Sequence, residues 1–341
     1  TILIKKYLVR NTSILTMNRR SLTSREPYAV QPIIMQKTID LLFIMLFGNC
    51  ALLPLQAQVT TIYWQQEVNY TIDVTLDDAS HFLAGNVKIE YINRSPDTLQ
   101  FISFHLWPNA YKNTSTAYAI QELENKNTEF QFSKEVDKGF IDQLHFRIDG
   151  EQVIVQADSA YIDITKLLLN KPLLPGGSIL ISTPFRVKIP KTFSRLGHIG
   201  QSYQITQWYP KPAVYDRYGW HPMPYLTLGE FYSEFGTFDV SITLPKEYVV
   251  AATGTLDNEM ETQWLDSLAD ASIKKYFNEE PAKTINRDNK IITDSSSTYK
   301  SDKTKTIRYT AENVHDFAWF ADKHFNVMKS SVTLPGKEIP V

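Results

Sequence analysis

The sequence predicts a mostly β fold, an antiparallel and sandwich-like domain that extends over about residues 62–311. Apolar and polar residues alternate in segment after segment, as expected for strands with one buried face. Aromatic residues make up 12% of the 341-residue chain, and aromatic side chains favour strands. Helical spacing of apolar residues is rare, so helices are predicted to be minor elements.

The strand pattern is clearest from Val68 to Leu76, where every second residue is apolar. Residues 238–244 repeat this pattern and end at Pro245. Asp149-Gly150 separates two further apolar runs and is typical of a tight hairpin. The remaining predicted strands are 87–91, 99–106, 144–148, 179–181, 249–252 and 306–310.

Two segments carry helical spacing. Residues 113–125 predict a short helix with Leu123 facing inward, and residues 261–277 predict a longer helix. The polar stretch 279–305 follows it and is interpreted as an exposed excursion within a domain.

The N-terminal region has the layout of a secretory signal peptide at residues 35–57. A short basic start is followed by an apolar run of about 15 residues, which is short against the roughly 20 that a membrane span requires. We therefore favour cleavage after Ala57 over a membrane anchor or lipidation at Cys50. Residues 1–34 are expected to be a non-native upstream extension. The product is predicted to be exported, to the periplasm or outside the cell, with no stable membrane span after cleavage.

Charge and cysteine content exclude several classes of protein. The formal net charge is −2, from 35 basic and 37 acidic residues, which argues against affinity for nucleic acid through phosphate neutralisation. The single cysteine excludes an internal disulfide bond and a cysteine-rich zinc site.

No catalytic or metal-ligating motif is present in the sequence. None of the seven histidines forms an HExxH pattern or a pair four residues apart. The sequence also has no G-x-S-x-G nucleophile motif and no glycine-rich phosphate loop. We therefore expect no catalytic residue and no metal ligand within this chain.

The stretch 203–235 is unusual because it holds ten aromatic residues and four prolines within 33 positions. Prolines fix the backbone and aromatic rings offer broad, stiff contact surfaces. Three interpretations remain open: an aromatic groove or domain interface, a proline-fixed loop whose rings fill the core, and a sugar-binding surface.

Five segments that occur in order resemble the N-terminal portion of the M1 (gluzincin) zinc aminopeptidases, particularly their secreted bacterial branch. The segments are Tyr70–Leu76, Pro172–Phe185, Ile205–Gln207, Phe238–Ala252 with the following Thr253-Gly254, and Ala311–Phe320. The resemblance covers about residues 65–341. It implies a saddle-shaped β domain at 58–311 that packs on a catalytic domain, whose start would be residues 312–341.

The resemblance also implies an activity, a cofactor and one site residue. Family members remove N-terminal residues from peptides with one zinc ion, which activates a water molecule beside a general base. Those elements are absent here, so zinc would belong to the missing catalytic domain and this chain alone would be inactive. A glutamine of the family's β domain reaches the pocket for the first substrate side chain, and Gln207 matches it by order. Trp208-Tyr209-Pro210 departs from the usual pattern there, and the alternative for Gln207 is an amide satisfied by strand backbone.

The sequence thus predicts an N-terminal aminopeptidase fragment whose partners are peptide substrates and its own catalytic domain. Two alternatives remain: an exported β-sandwich binding module that uses the Trp208–Trp220 region, and a catalytically dead M1-like scaffold.

Overall fold

A computed structural model describes residues 63–278 and 303–340 of the chain. The predictions for the upstream extension 1–34 and the signal peptide 35–57 lie outside the described residues, as does most of the polar stretch 279–305. The residues that are described belong to one compact unit.

The described residues form 21 strands and two α-helices. The first nine strands are β1 (Glu67–Asp77), β2 (Phe82–Ile92), β3 (Leu99–His105), β4 (Phe140–Asp142), β5 (Arg147–Ile148), β6 (Glu151–Gln152), β7 (Ile154–Ala157), β8 (Ile164–Leu173) and β9 (Ser178–Lys188). The next six are β10 (Gly197–Ile199), β11 (Ser202–Ile205), β12 (Lys211–Pro212), β13 (Val214–Asp216), β14 (Gly219–His221) and β15 (Gly236–Pro245). The last six are β16 (Val249–Ala252), β17 (Thr255–Leu256), β18 (Thr304–Val314), β19 (Trp319–Asp322), β20 (Ser331–Leu334) and β21 (Lys337–Pro340). The helices are α1 (Ala117–Glu124) and α2 (Glu259–Asn278).

The largest sheet has nine strands in the order β17-β18-β15-β1-β2-β9-β5-β6, with β4 paired to β9. Its ladders are antiparallel, as predicted, except for the parallel pair β1 and β15, in which Tyr70 lies opposite Phe238. These two strands are separated by a long crossover, and a parallel pair requires such a connection rather than a hairpin.

Alternation along the strands buries one face of this sheet. In β1 the predicted inward residues Val68, Tyr70, Ile72 and Val74 are at most 3% exposed, while the alternate residues are more exposed. The same alternation occurs in β15. The Asp149-Gly150 hairpin is also confirmed, because it joins β5 to β6 with both residues at positive φ, 51° and 86°.

Two four-stranded sheets have the orders β12-β3-β8-β7 and β10-β11-β19-β16, and β13-β14 and β20-β21 form two-stranded sheets. One hydrophobic core draws side chains from the three larger sheets, such as Ile72, Phe104 and Trp319. The predicted domain boundary at 311/312 falls within β18, and β19 beyond it pairs with both β11 and β16. That boundary remains a prediction.

Both predicted helices are present. Thr116 caps α1 by accepting a hydrogen bond from the Ala119 amide at 3.2 Å. Leu123 is 41% exposed, so the prediction that it faces inward is wrong. Tyr118, Ala119 and Glu122 form the buried face instead, because packing of the Tyr118 ring against Tyr111 and Phe130 sets the orientation of the helix. Neither described helix is both long and apolar enough to span a bilayer.

Candidate functional site

Two loops that are distant in sequence meet beside the β10-β11-β19-β16 sheet. One loop, residues 206–210, links β11 to β12, and the other, residues 315–318, links β18 to β19. Because β11 and β19 are adjacent antiparallel strands, with Ile205 opposite Trp319, the end of one strand meets the start of the other. We call the two loops together the loop junction.

Two hydrogen bonds to backbone carbonyls hold the 315–318 loop against the 206–210 loop and the start of β12. The Trp208 indole Nε1 donates to the carbonyl oxygen of Phe317 at 3.0 Å. The Lys211 Nζ donates to the carbonyl oxygen of His315 at 2.6 Å. Both side chains are almost fully buried, so solvent does not compete for these bonds and they fix the spacing of the loops.

Asp316 is the polar centre of the loop junction. Its Oδ1 accepts hydrogen bonds from the Tyr209 hydroxyl at 2.6 Å and the Phe317 amide at 2.8 Å. The Lys211 Nζ lies 3.3 Å from the same oxygen, and the two side chains are only 2% and 17% exposed. A buried ion pair is tolerated only when further hydrogen bonds satisfy it, and those from Tyr209 and Phe317 meet that condition.

Burial shifts the pKa values of the groups around Asp316. Burial lowers the pKa of the Lys211 ammonium, and the Asp316 carboxylate opposes that change. The pKa of Tyr209 is raised well above its usual value by burial first and by Asp316 second. Tyr209 therefore stays a hydrogen-bond donor to the carboxylate across the whole physiological pH range.

Gln207 lies at the edge of the loop junction in an uncommon conformation. Its φ is +48°, a left-handed value that costs a non-glycine residue about 1–2 kcal/mol. Its Nε2 lies 3.5 Å from Asp316 Oδ2, at the outer limit of hydrogen bonding. Its Oε1 is buried and has no hydrogen-bond partner among the described residues. No strand backbone group satisfies this oxygen, and the assignment of Gln207 to a substrate pocket remains a prediction.

An exposed pair of rings adjoins the loop junction. Phe235 is 48% exposed, and its ring centroid lies 5.6 Å from that of the exposed His315. The rim beside the buried Lys211–Asp316 pair is therefore aromatic.

The aromatic stretch 203–235 divides into buried and exposed rings. The buried rings are Tyr203, Trp208, Tyr209 and Tyr225, each at most 2% exposed. These rings fill the core, as one of the three interpretations predicts. Trp208 has no surface for a glycan or a partner, whereas Tyr218, Tyr232 and Phe235 remain exposed.

A second polar cluster surrounds the β13–β14 hairpin. His221 Nε2 lies 2.7 Å from Asp216 Oδ1, and the Tyr232 hydroxyl donates to Asp216 Oδ2 at 3.2 Å. Nearby, Glu234 is 3% exposed and accepts a hydrogen bond from the Tyr215 amide at 3.3 Å. Burial raises the pKa of Glu234 to about 7. The cluster has paired acid and base groups but no nucleophile joined to them, so by itself it supports no catalytic step.

A metal centre is not formed by the described part of the chain. Within residues 63–278 and 303–340, no three His, Cys, Asp or Glu side chains converge as metal ligands would. The rings of His81 and His198 stack on each other, with centroids 3.7 Å apart and an angle of 18° between their planes. Stacked rings point their nitrogens along nearly parallel planes, so they do not converge on one ion. The described residues therefore do not fit a zinc site.

The sequence predicts a site role for Gln207 but none for Tyr209, Lys211 or Asp316, which the fold brings together beside it. The segment Ala311–Phe320 is part of the resemblance, but the resemblance assigns no role to any of its side chains. The position of Lys211 between two prolines in a strongly apolar stretch could have indicated a buried ion pair, because a buried lysine requires a carboxylate partner. Nothing in the sequence identifies that partner as Asp316, 105 positions later.

Comparison with known proteins gives similarity of fold only. No protein-family model and no curated protein matches the sequence. Among solved structures, the M1 zinc metallopeptidase from Deinococcus radiodurans aligns with 81% of this chain and 46% of its own, at 12% identity and a TM-score of 0.41. A mutant of an M1 zinc metallopeptidase from the same organism, bound to a Tyr-Ser-Ala substrate, gives the same values. A two-domain M1 zinc metallopeptidase mutant bound to L-tryptophan covers 82% of this chain and 47% of its own, at 12% identity and a TM-score of 0.40. This chain thus spans about half the length of the structures that it matches.

Proposed function

We propose that this chain is the N-terminal part of an exported zinc-dependent aminopeptidase and forms one wall of its substrate cleft. The observation that carries the proposal is the loop junction. Two of the segments that resemble M1 aminopeptidases, Ile205–Gln207 and Ala311–Phe320, meet there, and Gln207 Nε2 lies 3.5 Å from Asp316 Oδ2. Segments of a common site are expected to meet in space although they are separate in sequence.

The proposal divides the chemistry between two domains. Zinc bound by a separate catalytic domain would supply an activated water for peptide hydrolysis. The described residues of this chain supply no zinc ligand, so their role is to bind and orient the peptide. This division predicts that the chain alone does not hydrolyse peptides.

Gln207 is the residue of this chain that we assign to the pocket for the first substrate side chain. Trp208 and Tyr209, which follow it, are tied to Phe317 and Asp316. The position of Gln207 is therefore set by buried contacts and not by a free loop. A side chain held in this way loses little further conformational entropy when it contacts a ligand.

An exported binding module is the second candidate, and one observation favours it. Tyr218 and Tyr232 are 75% and 47% exposed, and they flank the Asp216–His221 pair. Exposed aromatic rings beside polar groups can contact a glycan or a protein partner. A scaffold related to M1 enzymes that has lost its metal site is the third candidate.

The reading frame of the gene and the activity of its product separate these candidates. An HExxH motif downstream, with a Glu about 20 residues later, would support the enzyme. Altered zinc ligands at those positions would support the scaffold. A stop codon directly after Val341 would support the binding module. The full-length product should hydrolyse aminoacyl-p-nitroanilides and contain one zinc by elemental analysis. Segment 58–341, the matched control, should do neither. Stoichiometric zinc in that control would contradict the division of chemistry proposed above.

A further inference from the structure

We propose that Asp316 is a positioning residue, whose carboxylate fixes the orientation of the Gln207 amide and the place of its loop. This inference rests on the proposed function, because it assigns a task to a further residue of the same site.

The backbone at Gln207 requires external support. A left-handed φ of +48° at a non-glycine residue persists only where surrounding contacts hold it. The support comes from the next two residues, since the Trp208 indole and the Tyr209 hydroxyl both bind the 315–318 loop. Loss of either bond would release the strain at Gln207.

Asp316 is itself firmly held. Its Oδ1 receives the Tyr209 hydroxyl and the Phe317 amide, and Lys211 Nζ lies 3.3 Å away. Two hydrogen bonds and a neighbouring ammonium group on one oxygen restrict the position of the carboxylate. The charge of Lys211 compensates that of Asp316 inside the protein.

The second carboxylate oxygen determines which way the amide of Gln207 points. An ionised carboxylate only accepts hydrogen bonds, and Oδ2 lies 3.5 Å from the Gln207 Nε2. The inverted amide would place Oε1 against Oδ2, two acceptors facing each other. The present orientation is kept although Oε1 then has no partner among the described residues.

Replacement of the charge with an amide removes this control. In Asp316→Asn the side chain can present either NH2 or C=O to Gln207, so both orientations of the Gln207 amide become acceptable. A substrate that depends on one orientation then binds less well, while the zinc-centred step is unchanged. We therefore expect a higher KM with a similar kcat.

The test uses the full-length product and four variants: Asp316→Asn, Gln207→Ala, the double variant, and Tyr209→Phe. Asp316→Asn and Gln207→Ala should each raise KM about tenfold, the factor that corresponds to about one lost hydrogen bond between Gln207 and the substrate, with kcat within about twofold. The double variant should be no worse than Gln207→Ala, because Asp316 acts through Gln207. Tyr209→Phe should shift KM in the same direction by less.

Asp239→Asn is the matched control. It makes the same carboxylate-to-amide change in the exposed pair with Arg308, on the adjacent strands β15 and β18. It should leave KM unchanged. A general loss of folding would instead lower the active fraction, which appears as a lower kcat at constant KM.

A second readout does not depend on activity. The side-chain NH2 signals of Gln207, assigned in amide NMR spectra by their disappearance in Gln207→Ala, should form one defined pair in the wild type and shift or broaden in Asp316→Asn.

If the wild type neither hydrolyses substrate nor holds zinc, the proposed function fails, and these spectra still decide the positioning claim. Unchanged Gln207 signals in Asp316→Asn, or additive effects on KM in the double variant, would overturn the inference. If Asp316→Asn does not fold, KM and the Gln207 NH2 signals of Tyr209→Phe test the proposal instead. An unshifted KM together with unshifted signals in that variant would contradict it.

Discussion

The indole nitrogen of Trp208 donates to the carbonyl oxygen of Phe317 at 3.0 Å, across 109 positions of sequence. Trp208 is fully buried, and its ring contacts those of Phe185, Tyr209 and Trp319. One side chain thus joins the loop junction to the hydrophobic core, so packing in the core and geometry at the candidate site are coupled.

Replacement of Trp208 with Phe should weaken both the core and the loop junction. The variant loses the hydrogen bond to Phe317 and leaves a cavity where the larger ring lay, so we expect the free energy of unfolding to fall by about 2–4 kcal/mol. Urea unfolding followed by circular dichroism measures this. The control is Tyr218→Phe, at a side chain that is 75% exposed, where a change beyond about 0.5 kcal/mol is not expected. Equal effects in the two variants would show that Trp208 does not join the loops to the core.

Gly236→Ala should disrupt the parallel pairing of β1 and β15. A Cβ atom at Gly236 would lie 1.7 Å from the carbonyl oxygen of Val68, and that backbone oxygen belongs to the central strand of the sheet. We expect a loss of several kcal/mol or failure to fold. Gly200→Ala is the comparison, because no atom lies within 4 Å of its added Cβ and only its φ of +55° is unfavourable. A melting temperature for Gly236→Ala that is no lower than that of Gly200→Ala would contradict the close approach of β15 to β1.

His105 should make the domain sensitive to acid. Its ring is 1% exposed and accepts a hydrogen bond from the Met223 amide at 3.0 Å. Burial first, and Lys211 second, lower the pKa of His105 to about 3. Between the usual value near 6.5 and about 3, the unfolded chain binds a proton that the folded chain refuses, so stability falls as the pH drops through this window. In His105→Gln, whose side-chain oxygen can still accept from Met223, the fall in urea midpoint between pH 6.5 and pH 4 should be smaller than in the wild type.

His324→Gln is the control for this experiment, because the His324 side chain is 81% exposed. It should keep the wild-type acid response. If His105→Gln and the wild type respond to acid equally, the neutral, buried state of His105 is wrong.

Glu234 should act in the opposite direction. Burial raises its pKa from 4.5 to about 7, so the folded chain keeps a proton that the unfolded chain releases. The contribution of this group is fully present below pH 4.5 and is lost as the pH rises to about 7. Glu234→Gln keeps an acceptor for the Tyr215 amide and should remove this loss. The urea midpoint of the variant minus that of the wild type should therefore be larger at pH 8 than at pH 4.5. The exposed Glu230→Gln should show no such pH-dependent difference, and equal curves for both variants would contradict the burial of an ionisable Glu234.

Local patterns in the sequence predicted the strands but not how distant strands pair. The alternation in β1 and β15 identified both, since burial of one sheet face requires it. Their parallel pairing depends on a crossover of about 160 residues and leaves no mark at short range. The helix at Ala117–Glu124 was predicted, whereas its buried face was not, because contacts of Tyr118 with rings from other elements decide which side faces the core.

The same distinction applies to the candidate site. The prediction for Gln207 came from the short segment Ile205–Gln207, which resembles M1 aminopeptidases. The aromatic stretch 203–235 was evident from its composition. The Lys211–Asp316 pair required the three-dimensional fold, because the two residues approach only when β11 and β19 lie side by side. Aromatic content alone could not separate the core-filling Trp208 from the exposed Tyr218, because exposure depends on which loop residues the fold covers.

The kinetics of Gln207→Ala in the full-length, zinc-loaded product test the central claim most directly. If this chain forms a wall of the substrate cleft, the variant should change the preference for the first residue among aminoacyl-p-nitroanilides, or raise KM, without abolishing turnover. Kinetic constants that match those of the wild type for every substrate in the series would contradict the claim that this chain shapes the cleft through Gln207.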